Sequence, residues 1–280
     1  MKQINLSNVL ILCAPYAGIQ HLTQIALAQF QACGAAIQTG KASADVSLTR
    51  CLQALQAHKL LRARPDLEWV FWLDADMTAS VEGLFLLIAY SIAMREALDF
   101  GPDLYPSLSG CYVNRHSETG RDISAFALKH AEPVEITLPD DMGAGPVIPA
   151  LCGLGCFLQH RDAFIAHCES STWFTHKGGQ GENAIVRVPQ VCCSRIIHAS
   201  EYAQLIDCSP DDDVWYWSGE DFDYCIRELE SGRLVYVAPV IFGHLSEIVL
   251  VPDNSCMFPG LRAPKPERTN PQNEVPEHAD

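Results

Sequence analysis

The sequence predicts an α/β fold, in which helices cover a central sheet. Strand-like apolar runs and amphipathic segments with helical spacing alternate along the first hundred residues, which is the order of strand–helix–strand units. Trp69–Leu73 is an unbroken run of bulky apolar residues, typical of a strand that is buried on both faces. With 48% hydrophobic and 19% charged residues, the 280-residue chain has enough apolar side chains for a core.

The first elements predict a parallel sheet with crossover helices. Asn8–Ala14 forms the first predicted strand and ends in the turn-forming Pro15–Gly18. Apolar residues recur at helical spacing over Leu22–Gln31 and over Leu48–Ala63, with a short strand expected between these two helices. Trp69–Leu73 then returns to the sheet, and its carboxyl end is marked by the sudden charge of Asp74 and Asp76.

The remaining predicted elements are less regular. In chain order they are a buried helix over Gly83–Leu98, a strand over Ser109–Val113, one glycine-interrupted strand over Ala150–Leu158, a candidate mobile loop over Thr172–Glu182, a helix opened by Ser218–Asp221 and closed by Gly232, and strands over Leu234–Val237 and Val240–His244. The glycines within Ala150–Leu158 indicate that a ligand or another backbone approaches closely.

The chain is expected to form one domain over residues 1–250. Residues 251–280 contain six prolines among polar residues, which predicts a poorly ordered tail. The most apolar stretch, Gly83 to Met94, is too short to span a bilayer.

A cytoplasmic location with reduced thiols is expected, because Met1–Asn5 lacks the apolar region of a signal peptide and many of the twelve cysteines lie in apolar runs. Zinc is not expected, since the pairs Cys152/Cys156 and Cys192/Cys193 lack the ligand spacing of zinc sites. The formal net charge of −15 disfavours nucleic acid and anionic membranes as partners, although a local basic groove would change this for nucleic acid.

Asp74 and Asp76 are the first candidate site residues. Ligands of open α/β sheets collect beyond the carboxyl ends of the strands, and two carboxylates there can hold a divalent cation and the diphosphate that it bridges. Alternation along an extended strand end would place both carboxylates on one side. One would bind the metal and the other would orient a ribose hydroxyl or a metal-bound water. The alternative is a solvated strand end with no ligand.

Glu220, Asp221 and His244 complete the candidate set. Carboxylates in the first turn of a helix are favoured by the helix dipole, so capping alone would explain Glu220 and Asp221, but an acid held there is also well placed as a general base. His244 follows a glycine at the end of an apolar strand and can supply a nitrogen ligand to Mn²⁺, although a single histidine is more often structural.

In this order the motifs resemble the GT-A class of glycosyltransferases, especially its family-2-like group, over most of residues 8 to 245. The segments that carry the resemblance are Phe71–Met77 with its DxD pattern, the glycine-bearing Cys152–Leu158 followed by Arg161–Phe164, Gly219–Cys225 with its Glu-Asp pair, Gly232 followed by Tyr236–Pro239, and Gly243–His244. The resemblance implies a Rossmann-like mixed sheet flanked by helices and a single nucleotide-diphospho-sugar transferase domain.

The resemblance also implies roles for the metal and the donor. Asp76 and His244, with Asp74 beside them, would hold Mn²⁺ or Mg²⁺, and Asp74 would also contact the ribose. Further donor contacts would come from Pro15, Tyr16 and Arg50. One residue departs from the pattern of this group, because Cys51 stands where relatives often carry asparagine. A uridine-diphosphate sugar is the donor that the resemblance implies.

For the acceptor, the resemblance implies that Asp221 takes a proton from the attacking hydroxyl in an inverting reaction. Glu220 would hydrogen-bond the acceptor, and Gly153, Leu154 and Gly155 would lie on the acceptor strand. A retaining reaction would exclude this role for Asp221. The acceptor itself stays open among glycans, lipid-linked sugars, protein hydroxyls, small molecules and hydroxymethylated pyrimidines of phage-type DNA.

Two other readings of the sequence stay open. Leu73–Thr78 also fits the motif of haloacid-dehalogenase-like phosphatases, with Asp74 as nucleophile and Asp76 as acid/base. That family carries the motif in its first strand and needs an acid pair with a spacing that Gly219–Asp221 does not have. The third reading is a non-catalytic module that binds nucleotide sugars.

Overall fold

The computed structural model describes residues 4–15, 18–41, 45–100, 105–113, 124–129, 131–138, 142–177, 185–206, 215–245 and 249–250. The helices are α1 (His21–Ala32), α2 (Val46–Ala63), α3 (Val81–Ala97), α4 (Arg161–Ser170), α5 (Ala199–Leu205) and α6 (Glu220–Glu230). The strands are β1 (Val9–Ala14), β2 (Ala36–Thr39), β3 (Trp69–Asp74), β4 (Met77–Thr78), β5 (Ser107–Cys111), β6 (Ala125–Ala127), β7 (Val134–Thr137), β8 (Ala144–Cys152), β9 (Cys156–His160), β10 (Trp173–Lys177), β11 (Ile185–Pro189), β12 (Arg195–His198), β13 (Trp215–Ser218), β14 (Val235–Ile241), β15 (Gly243–Leu245) and β16 (Val249–Leu250).

A nine-stranded mixed sheet organises the fold. Its strand order is β2-β1-β3-β9-β5-β14-β8-β6, and β7 pairs with β8. Strands β2, β1 and β3 are mutually parallel, as the sequence predicts, whereas β9 is antiparallel to both β3 and β5. Helices pack on the sheet, so the predicted α/β class with a mixed sheet flanked by helices is confirmed.

Strand β3 is buried on both faces because apolar side chains cover it from either side. Val70 and Trp72 belong to one core cluster, and Trp69, Phe71 and Leu73 to the other. In register, β3 lies between β1 and β9, which makes it a central strand. The carboxyl end of a central strand is enclosed by its neighbours, and the first acidic residue, Asp74, occupies this position.

The single strand predicted over Ala150–Leu158 is wrong. Its residues belong to β8 and β9, which lie at different positions in the sheet and are joined by the short segment 153–155. An apolar run alone does not show where one strand ends and the next begins, so two strands with a tight connection had the pattern of one.

Two further expectations need correction. Thr172–Glu182 was expected to be a loop, but Trp173–Lys177 forms β10 and pairs in antiparallel register with β11. Around Pro239, the expected strand Leu234–Val237 and the first residues of the expected strand Val240–His244 form one strand, β14, with an irregular register between Val237 and Ile241. Gly243 and His244 belong to β15, in a different sheet. The predicted end of α6 is confirmed, since Gly232 follows it with a φ of +77°.

The predicted tail, residues 251–280, lies outside the described residues, as does Tyr16. Within the described part of the chain, no helix is long and apolar enough to cross a membrane. The ten cysteines that the structure describes are free thiols.

Candidate functional site

The chain turns directly after Asp74, and this turn separates the two aspartates. Strand β3 ends at Asp74, residues 75–76 form the turn, and β4 begins at Met77. The start of α1 fixes the turn, because Gln20 N donates to the carbonyl of Ala75 at 2.8 Å and Thr23 Oγ1 donates to the same oxygen at 3.0 Å. The backbone is therefore not extended across the motif, and the carboxylates contact different partners.

Asp74 faces a buried arginine that also binds the start of α6. The Arg50 side chain is only 2% exposed, and its Nη2 atom donates to Asp74 Oδ1 at 2.7 Å. Its Nη1 atom donates to Glu220 Oε1 at 3.1 Å and to Asp221 Oδ1. One guanidinium from α2 thus connects the end of β3 to the first turn of α6, so the structure brings four of the predicted site residues together.

The surroundings change the proton affinity of Asp221. The pKa of its carboxyl is raised to about 6, chiefly by burial; the neighbouring Asp74 and Glu220 carboxylates contribute to the rise and Arg50 opposes it. The same three carboxylates raise the pKa of Arg50 well above its usual range, although burial alone would lower it. The arginine is therefore a permanent cation, and Asp221 is a carboxyl whose pKa lies near neutral pH.

Asp76 faces His244 on the other side of the turn. Strand β15 pairs with β4, with His244 opposite Met77, and this pairing carries the imidazole to the motif. His244 Nδ1 lies 2.9 Å from the carbonyl oxygen of Val113, and Nε2 lies 3.4 Å from Asp76 Oδ2. Donation from Nδ1 to the carbonyl leaves the lone pair of a neutral imidazole on Nε2, directed toward Asp76.

A carboxylate oxygen and an imidazole nitrogen that face each other suit a borderline cation such as Mn²⁺. Among the described residues no group of three or more His, Cys, Asp or Glu side chains is arranged to hold a metal. Asp76 and His244 would thus be two protein ligands, and the others would be supplied by the donor or by water. Asp74 lies two residues before Asp76, and its Oδ1 atom accepts a hydrogen bond from Arg50, so it would stand beside the metal site.

Gly153, Leu154 and Gly155 lie against a tyrosine that sequence reasoning missed. A Cβ atom on Gly153 would lie 2.0 Å from Tyr112 Oη, and one on Gly155 would lie 3.0 Å from the ring. Tyr112 Oη also accepts a hydrogen bond from Gly155 N at 3.0 Å. The glycines thus admit the tyrosine ring, and the closely approaching group is a side chain of the same chain. Their acceptor-binding role stays a prediction.

Tyr112 belongs to the site by its electrostatics as well as by its packing. Burial raises the pKa of its hydroxyl well above the usual value, and the carboxylates of Asp221 and Asp74 add to this effect. The hydroxyl is therefore neutral at all ordinary pH values. Glycines two residues apart were a sequence signal that a bulky group must approach, but they did not identify which one.

Strand β1 ends beside a separate cavity. Pro15 is buried directly after this strand, and Tyr16, predicted to contact the donor, lies outside the described residues. The cavity has a volume of about 370 Å³, and its lining includes Thr39, Gly40, Lys41, Thr49, Gln53 and Gln56. Gly40 N and Gln53 Nε2 both donate to the carbonyl of Cys13, at 2.9 and 2.7 Å, which places the cavity at the carboxyl ends of β1 and β2.

Two buried acids of helix α6, Asp223 and Glu228, anchor the helix through ion pairs. Glu228 is fully buried and accepts hydrogen bonds from Arg233 Nε at 3.0 Å and Gln159 Nε2 at 3.1 Å, and its Oε1 contacts His167 Nδ1. Asp223, also fully buried, accepts from Cys193 N at 2.8 Å and Arg227 Nε at 2.7 Å. These contacts fix the axis of the helix that carries Glu220 and Asp221.

Comparisons with known proteins do not identify a family for this chain. No family model matches the chain, and no curated protein matches it. Among solved structures, the chain is similar to the "Crystal Structure of A197 from STIV" with a TM-score of 0.42 and 11% identity, over 88% of this chain and 95% of that chain. A similarity at this level carries no functional inference.

Proposed function

We propose that this chain is a metal-dependent glycosyltransferase of the GT-A class that moves a sugar from a nucleotide-diphosphate sugar to an acceptor hydroxyl. The observation that carries the proposal is the convergence of Asp74, Asp76, Glu220, Asp221 and His244 at the carboxyl end of the central strand β3. These four acids and one histidine come from three separate parts of the chain and are held there by Arg50 and by the pairing of β15 with β4.

Asp76 and His244 would hold Mn²⁺ or Mg²⁺. Such a cation, when bound, neutralises the charge that develops on a departing nucleotide diphosphate. The nucleoside would lie toward the cavity at the ends of β1 and β2, whose volume of about 370 Å³ falls within the range of small-molecule sites. Pro15 directly follows Ala14, the residue that pairs with Asp74 in the sheet, which supports its predicted place beside the donor. A uridine-diphosphate sugar remains the donor that the resemblance favours.

Asp221 is the proposed general base. A carboxyl with a pKa of about 6 is deprotonated at neutral pH and is a stronger base than an ordinary aspartate. It would take the proton of the acceptor hydroxyl as this attacks the sugar from the face opposite the diphosphate, which gives inversion. Glu220 beside it would orient the acceptor.

The acceptor approaches from the side of α6. The ribbon of β12 and β13 leads directly into this helix, and its solvent-facing side carries Ile196 and Trp215, which are 60% and 62% exposed. Large exposed apolar side chains beside an active site favour an acceptor with an apolar surface, such as the face of a sugar ring. Acceptor class otherwise stays open, with nucleic acid disfavoured by the net charge of −15.

The test is Mn²⁺-dependent hydrolysis of a panel of nucleotide sugars by the wild type, by Asp76→Ala and by Asp66→Ala as the control. Asp66 is an exposed acid whose partner is Arg64, away from the site. We expect slow release of nucleoside diphosphate from one donor, lost in Asp76→Ala and retained in Asp66→Ala. Release of phosphate from phosphomonoesters without donor turnover would instead identify a phosphatase, and metal-dependent donor binding without any turnover would identify a binding module.

A further inference from the structure

We infer that Arg50 is a positioning residue, which holds the first turn of α6 against the end of β3, and that it does not contact the donor. The family resemblance implies the opposite role, a contact to the nucleotide. The catalytic consequence rests on the proposed function, whereas the positioning itself does not. The inference starts from the partners of the guanidinium, which all belong to the protein.

Three of the five N–H groups of the guanidinium donate to carboxylates of the protein, and burial restricts access to the rest. Both of its terminal nitrogens donate to carboxylates, Nη2 to Asp74 and Nη1 to Glu220 and Asp221. The third nitrogen, Nε, is buried and has no hydrogen-bond partner within the described part of the chain. With the side chain only 2% exposed, a diphosphate would have to displace carboxylates in order to reach Arg50.

Electrostatic repulsion explains why such a cation is needed. The first turn of α6 carries Glu220 and Asp221, and the carboxylate of Asp74 at the end of β3 faces them, whereas Asp223 on the same turn is paired with Arg227 and Arg195. Without a cation between them, like charges in a partly enclosed site would push the start of α6 away from the strand. The dipole of α6 favours its own acids but does nothing for Asp74.

The geometry also explains why the cation is an arginine. A planar guanidinium can direct two separate nitrogens at two separate groups of acceptors, whereas an ammonium group is a single point charge. Arg50 uses one nitrogen for the strand and the other for the helix, so it fixes the distance between them. Lysine would keep the charge and lose this two-sided connection.

Three proteins test the inference: Arg50→Gln, Arg50→Lys and the control Arg62→Gln. Arg62 lies on the same helix, is 57% exposed and pairs with Glu169. Hydrogen exchange is measured for peptides covering α6 and, as a reference for global stability, α3. Binding of uridine diphosphate with Mn²⁺ is measured by calorimetry. Where the hydrolysis panel yields a donor, kcat and KM are measured for it.

In Arg50→Gln we expect α6 to exchange about tenfold faster with α3 unchanged. We expect the Kd of uridine diphosphate to stay within about twofold, and kcat to fall about 100-fold at a nearly constant KM, because a displaced base impairs only the chemical step. Arg50→Lys should fold, lie between Arg50→Gln and the wild type in both exchange and kcat, and bind uridine diphosphate normally. Arg62→Gln should match the wild type.

The inference is overturned if both Arg50 variants weaken binding of uridine diphosphate about tenfold or more while exchange of α6 stays unchanged, because that pattern defines a donor contact. If the wild type neither binds uridine diphosphate nor hydrolyses any donor, the proposed function fails. The exchange of α6 then still decides whether Arg50 positions this helix.

Discussion

The Nε2 atom of His244 lies 3.4 Å from Oδ2 of Asp76, although 168 residues separate the two in the chain. The short pairing between β4 and β15 produces this approach, and the carbonyl of Val113 orients the imidazole through Nδ1. The arrangement resembles that of a metal-binding histidine, whose second nitrogen is commonly held by a carbonyl or carboxylate. The first prediction therefore concerns metal affinity.

Replacing His244 by alanine should weaken Mn²⁺ binding at least about tenfold, because one of two protein ligands is lost. The free Mn²⁺ concentration is measured by electron paramagnetic resonance during titration of the protein. His58→Ala is the control, since His58 pairs with Glu169 away from the site. Equal affinities of His244→Ala and the wild type would show that His244 is not a ligand.

The sequence indicated where the acidic groups lie along the chain but not how they meet. The strand over Trp69–Leu73 and the first turn of α6 were predictable, because an apolar run followed by charge is a local signal. Arg50 and Asp221 are 171 residues apart, and no local pattern predicts that they form an ion pair. Tyr112 could not be identified for the same reason, since its role depends on glycines that belong to a distant connection.

The proposed transferase activity should fall on acidification with an apparent pKa near 6. Asp221 has a pKa of about 6, raised mainly by burial, and only its deprotonated form can act as a base. Donor turnover is measured from pH 4.5 to 8 at saturating Mn²⁺, beside stability controls at each pH. A rate that is constant down to pH 4.5 would exclude Asp221 as the base.

The raised pKa of Asp221 also predicts that ionisation of this carboxyl lowers the free energy of unfolding. Because the pKa in the folded state lies above the ordinary value of 3.8, the protonated carboxyl favours folding, and this contribution is lost as the pH rises through about 6. Asp221→Asn removes the ionisation, so its free energy of unfolding relative to the wild type should increase between pH 4 and pH 7, by about 1–2 kcal/mol. Urea unfolding with a metal chelator present measures this. A difference that shrinks with rising pH would contradict the assignment.

Glu228 should have the opposite pH dependence. Burial would raise the pKa of its carboxyl, but the hydrogen bonds from His167 and Arg233 lower it below the ordinary value. Its contribution to stability is therefore present above the ordinary pKa of 4.5 and is lost as the pH falls through the lower pKa of the folded state.

Replacing Glu228 by glutamine should destabilise the fold at pH 7 by about 3 kcal/mol, because it leaves the Arg233 guanidinium without its buried anion. Glu230→Gln is the matched control on the same helix. Glu230 is exposed, and its Oε1 atom lies 3.4 Å from Arg195 Nη2, which makes a weak surface ion pair. Urea unfolding at pH 7 measures both variants. Equal effects of the two substitutions would show that the buried network does not anchor α6.

The contact between Gly153 and Tyr112 allows the packing of the site to be tested by a double-mutant cycle. A Cβ atom at position 153 would lie 2.0 Å from Tyr112 Oη, so Gly153→Ala should cost about 1–3 kcal/mol. Tyr112→Phe removes the hydroxyl that accepts from Gly155 N and should cost about 1 kcal/mol by itself.

In the double variant the absent hydroxyl relieves the shortest contact of the new methyl group, although Ser124 Oγ and the ring carbon Cζ remain 3.0 and 3.2 Å away. The two costs should therefore not add. The sum of the losses in unfolding free energy of the two single variants should exceed the loss measured for the double variant by about 1 kcal/mol or more. Gly18→Ala is the control, because a Cβ atom there meets no atom of the described residues within 4 Å, and its effect should stay within about 0.5 kcal/mol. Strict additivity would mean that the connection between β8 and β9 moves away from Tyr112, so that the tyrosine does not fix the acceptor side of the site.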